Sequence, residues 1–134
     1  MSVPVRTEAV RQVPSEPATV RVRSAVGTAV VLWHGDPEEV GREQHVEWTV
    51  DEDIVWSENA WPASSAAPGL REDGDRIVFR GRLSLTGDGM ALLDVGGAPI
   101  LFELAVPPPP ESSDAPWVEV RVARENVGLW PCRL

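Results

Sequence analysis

The sequence predicts an all-β fold, either a small antiparallel barrel or a two-sheet sandwich of about seven strands with at most one short helix. Three observations carry this. From Asp75 to Val106 the chain alternates apolar and polar residues around closely spaced glycines. Valine-rich stretches at 19–33, 45–56 and 117–124 repeat the same period of two. A helix start signal stands at Asp36-Pro37, but Gly41 follows too soon for more than a turn or two.

In chain order, residues 1–18 carry three prolines and mixed charge without a clear period and read as a flexible N-terminal arm. Residues 19–134 then form one domain, the natural count for this length. Thr19 to Trp33 starts as a strand with Val20, Val22 and Val26 on one face and Arg21 and Arg23 on the other. Gly27 reads as a bulge before the apolar run that ends at Trp33. His45 to Trp56 is the next strand, with Val46, Trp48 and Val50 inward and a bend expected at Asp51-Glu52-Asp53. Residues 57–74 are rich in small, acidic and turn-forming residues and read as a long surface loop holding Trp61.

The stretch 75–106 reads as three antiparallel strands. Ile77, Phe79, Gly81, Leu83 and Leu85 share one face of the first strand, with the arginines on the other. Gly96-Gly97 makes a two-residue hairpin that sets Val95 against Ala98, Leu93 against Ile100 and Ala91 against Phe102. At Gly87-Asp88-Gly89 a three-residue loop with Gly89 left-handed keeps charge out of the core, setting Leu85 against Ala91 and Leu83 against Leu93. That register also places Arg82 opposite Asp94, an expected ion pair worth ~0.2–1 kcal/mol. Gly81 marks a bend or bulge, and Pro99, which lacks an N–H, marks an edge strand.

Residues 107–116 read as an extended polyproline connector. Beyond it, Trp117 to Arg124 forms a strand with Val118, Val120 and Val122 inward, and 126–131 closes the fold. The order of these last elements, over residues 75–131, resembles an OB barrel, without the helix such barrels carry between their third and fourth strands. The resemblance implies a fold and no activity.

Composition narrows the function. A net charge of -9 disfavours general binding to nucleic-acid phosphates. All 12 basic residues are arginine, which with abundant Ala, Val, Gly and Pro points to a bacterial coding bias. The single Cys132 forms no intramolecular disulfide and no cysteine-rich metal site. The absence of a signal core and of any run of ~20 apolar residues leads to a cytoplasmic expectation. Nucleotide-loop and serine-hydrolase motifs are missing. His34 and His45 with Asp36 or Glu43 match no metal-ligand spacing, so no metal and no cofactor is expected.

The expected function is therefore non-enzymatic: a bacterial domain that binds another protein, as a toxin-neutralising or accessory factor does. Its expected surface is Asp51, Glu52 and Asp53 with Trp56 and Trp61, since exposed Trp anchors interfaces. Two alternatives compete. An OB-like binder of single-stranded nucleic acid would use the Arg76, Arg80 and Arg82 face. A carbohydrate binder would use Trp56 and Trp61. The Pro99 edge leaves a homodimer by strand pairing open.

Overall fold

The computed structural model describes residues 4–10, 18–86, 88–105 and 117–132. Among these residues the fold is all-β. Its strands are β1 Val5–Ala9, β2 Thr19–Ser24, β3 Gly27–Trp33, β4 Glu43–Gln44, β5 Val46–Val50, β6 Ala60–Pro62, β7 Gly69–Asp73, β8 Arg76–Leu85, β9 Met90–Val95, β10 Ala98–Glu103, β11 Trp117–Ala123 and β12 Val127–Pro131. They make one sheet in the order β10-β9-β8-β7-β3-β2-β1-β4. From this path β11 branches off β8 and carries β6, while β12 joins β3 to β5. The sheet curls over a single core without closing, an open barrel or sandwich. Nothing in its ladders supports closure of the OB type.

The ten-residue β8 organises the sheet, because it pairs with β7, β9 and β11. Both hairpin registers around β9 are as the alternation predicts. Leu83 lies opposite Leu93 and Leu85 opposite Ala91. Val95 lies opposite Ala98, and Ala91 opposite Phe102. Gly89, Gly96 and Gly97 all hold positive φ, which glycine adopts without a Cβ penalty. Arg82 stands opposite Asp94, but the expected ion pair does not form. The Asp94 carboxylate instead accepts the Gly97 N–H at 2.8 Å and braces the turn. Gly81 is not a bulge: the β8–β11 ladder runs through it unbroken. It is glycine because a Cβ there would run into the Asp94 carbonyl.

The inward faces meet in one cluster. Phe79 is fully buried, with Trp48 edge-on at 5.6 Å and Phe102 at 6.4 Å between ring centroids. Burying a side chain of this size contributes about 1.5–3 kcal/mol. Val118, Val120 and Val122 of β11 complete the cluster, as their alternation predicts, together with Val127 and Leu129 of β12.

Four expectations change. Val5–Ala9, assigned to the arm, lies in the sheet between β2 and β4, with Val5 and Thr7 buried. Thr19–Trp33 is two strands rather than one, with Ser24 opposite Gly27 across a turn, so Gly27 ends a hairpin and is not a bulge. The segment 57–74 is not a single loop, because it contributes β6 and β7. Among the described residues the strands number twelve: β1 and the split of Thr19–Trp33 add two to the expected seven, and β4, β6 and β7, which carry polar or proline residues without alternation, add three. The helix signal becomes a 3-10 turn at Pro37–Glu39, where the Asp36 N–H donates to Glu39 Oε1 at 3.3 Å. The proline connector lies outside the described residues.

Candidate functional site

The acidic segment after β5 is a loop with a firm internal frame. Asp51-Glu52-Asp53 ends the strand, and the Asp51 N–H turns to the Asn126 carbonyl at 2.8 Å. Ile54, 1% exposed, pins the loop to the end of β10: its N–H donates to Glu103 O at 2.8 Å, and its carbonyl accepts the Ala105 N–H at 2.9 Å. Ser57 takes the left-handed conformation, with φ 73°, and its N–H donates to Ala60 O at 2.9 Å, turning the chain back into β6.

Asn59 holds this turn from inside. Its Oδ1 accepts the Val55 N–H at 2.8 Å, and its Nδ2 donates to Asp53 O at 2.9 Å and to Glu52 Oε2 at 3.1 Å. Nearly all of its hydrogen-bonding capacity is used, as burial of an amide requires. Glu52 reaches the other way, where Oε1 accepts the Ala123 N–H at 3.0 Å and Asn126 Nδ2 at 2.9 Å. Partial burial pushes the Glu52 carboxyl upward. The hydrogen bonds from Ala123, Asn126 and Asn59, with the nearby Arg76 charge, outweigh burial and hold it below its ordinary value.

The five residues expected to form one binding surface therefore divide. Asp51 and Asp53 are exposed, while Glu52 faces inward as a structural group. Trp56 is half-buried against the core. Trp61 is 37% exposed on β6, with the Arg121 guanidinium 5.8 Å from its ring centroid. Arg121 also meets Asp73 at 3.1 Å. Glu58, absent from the sequence reading, joins Asp53 at the rim of an open depression floored by Val55 and Asn59 and bordered by Arg76. Asn59 was equally missed, since its role depends on burial. A left-handed Ser beside it leaves no signature in the sequence.

Of the arginine face, only Arg80 is held by the chain's own groups among the described residues. Arg80 donates through Nε to Ala67 O at 2.7 Å and lies 3.8 Å from Glu119. Arg71 meets Glu119 at 2.8 Å, and Arg124 meets Glu72 at 2.8 Å. Arg76 and Arg82 are exposed. His34 stacks on Trp130, and among the described residues no group of three metal-ligating side chains converges. Among them too, no helix is long and apolar enough to cross a membrane.

Comparison with known protein families, curated proteins and solved structures found no match. What fold and site define is thus a class, an open all-β domain with a braced acidic loop.

Proposed function

We propose that this chain is a non-enzymatic bacterial binding domain, of the toxin-neutralising or accessory kind, and that its ligand is a protein with a basic surface. The contact is the exposed acidic loop, through Asp51, Asp53 and Glu58. One observation carries this reading: several surface arginines are paired within the chain, while the acids of the loop, bordered by Arg76, form no ion pair among the described residues. Arg71, Arg80, Arg121 and Arg124 are matched by the chain's own carboxylates. The carboxylates of Asp51, Asp53 and Glu58 have no cation partner among the described residues. A braced loop of free acids offers electrostatic complementarity without an ordering cost on binding. The exposed single thiol, Cys132, suits the reducing cytoplasm in which this reading sets the domain.

The test is affinity capture from native bacterial lysate with the wild type and with an Asp51→Asn/Asp53→Asn/Glu58→Gln variant. The reading expects a protein retained by the wild type at moderate salt and lost both from the variant and at high salt. The same proteins on both baits would refute it.

A further inference from the structure

A second feature of the outer surface bears on what such a partner presents. Trp130 is 44% exposed, yet it is fixed from two directions. Its indole N–H donates to Thr49 Oγ1 at 3.2 Å. The His34 imidazole stacks on it with 4.5 Å between centroids and 14° between planes. Gly128 makes that stack possible. A Cβ at this position would meet His34 Nε2 at 2.5 Å and Thr49 Oγ1 at 2.8 Å, so any side chain there displaces the imidazole.

Glu47 stands directly opposite Trp130 in the β5–β12 ladder, and both are exposed. Opposed residues of this kind hold their Cβ atoms about 4.5–5.5 Å apart. Glu47 makes no ion pair or hydrogen bond among the described residues. An exposed indole beside a free carboxylate is the half-site for a guanidinium, which stacks on the ring and pairs with the acid. The chain already builds the complete version elsewhere. Arg121 lies over Trp61 and pairs with Asp73. At Trp130 the ring and the acid are present, and among the described residues no arginine lies over the ring. The outward face of β5 carries Glu47 and Thr49 and leads to exposed Asp51 just past its end, so this half-site adjoins the acidic loop.

We infer that Trp130 and Glu47, with His34 as a positioning residue, form the pocket for an arginine side chain of a basic partner segment. The inference rests on the protein-binding reading above and specifies its chemistry. The geometry favours arginine over lysine, because a planar guanidinium can face the ring and the carboxylate together, whereas an ammonium acts as a point charge.

Hexa-arginine and hexa-lysine peptides, titrated into the intact chain at low ionic strength, test it. Affinity is read by calorimetry, and the site by the Trp130 indole N–H resonance. Hexa-arginine is expected to bind about fivefold tighter than hexa-lysine and to shift that resonance. Trp130→Leu and Glu47→Gln should each remove the preference while leaving the weaker, charge-driven binding. Trp130→Phe should keep part of it. Gly128→Ala should reduce it by displacing His34 and crowding Thr49 Oγ1, the two groups that fix the ring. Equal affinity for the two peptides, or a preference unchanged in Trp130→Leu, would overturn the inference. The two readings fail separately. An arginine preference in a chain whose loop variant captures the same proteins as wild type would leave the pocket standing and remove the loop. Loss of capture in the loop variant with no arginine preference would do the reverse.

Discussion

Asn59 and Glu52 hold each other in place, Nδ2 to Oε2 at 3.1 Å, and Glu52 ties the acidic loop to the end of β11 and to Asn126 in the turn before β12. This pair makes the loop a fixed surface rather than a loose tail of charge. Asn59→Ala leaves the Val55 N–H, the Asp53 carbonyl and one Glu52 oxygen without that partner. A loss of about 1–3 kcal/mol is expected, read as a lower urea midpoint at unchanged slope.

Glu52 gives the loop a dependence on acid. Its carboxyl titrates lower in the folded chain than its ordinary value of 4.5. Its ionised form therefore adds stability that is fully present above pH 4.5 and is lost as pH falls through the lower, folded value. Urea midpoints measured from neutral pH down to below 4.5 should fall less steeply in Glu52→Gln than in wild type. Parallel curves would remove the proposed role of this carboxylate.

Asp94 and Arg82 separate two accounts of the same register. Asp94→Ala is expected to cost about 0.5–1.5 kcal/mol through the lost Gly97 N–H bond. Arg82→Ala then stays within about 0.5 kcal/mol of wild type. Equal losses in the two variants, with strong coupling in the double variant, would restore the ion pair expected from the sequence.

Gly81 is set by the approach of β9. Gly81→Ala must push the Asp94 carbonyl away and is expected to cost about 1–3 kcal/mol by overpacking, measured by thermal or urea unfolding. A neutral result would mean that β8 and β9 are not in this close contact.

The edge strand β10 is blunted at both ends. Pro99 has no N–H to offer, and the Glu103 carbonyl is occupied by the Ile54 N–H. Pro99→Thr supplies a donor to the open part of the edge. Sedimentation at high concentration should show more self-association in this variant than in wild type.

The parts of this fold that were legible in the sequence are those where burial imposes a period. Residues 76–103 and 117–123 alternate because one face is core, and a one-residue slip at either hairpin would have buried charge. The illegible parts carry no such constraint. Arg71-Glu72-Asp73 of β7 is a strand because Leu70 anchors it beside Phe79, while its own side chains are exposed. Glu43–Gln44 is a strand because β1 lies next to it. For the site, Asp51-Glu52-Asp53 read as three equivalent acids. Which of them turns inward was decided by Asn59, Ala123 and Asn126, the last two more than seventy residues away. Trp130 gave no hint either, since its partners Thr49 and His34 arrive from β5 and from the end of β3.

The measurement closest to the central claim is carboxyl footprinting of the chain, alone and with its captured partner, read residue by residue by mass spectrometry. Protection of Asp51, Asp53 and Glu58 in the complex, with Glu52 slow to react in both states, is the expected pattern. Unchanged reactivity at those three carboxylates in a stable complex would show that the partner binds elsewhere and would contradict the account.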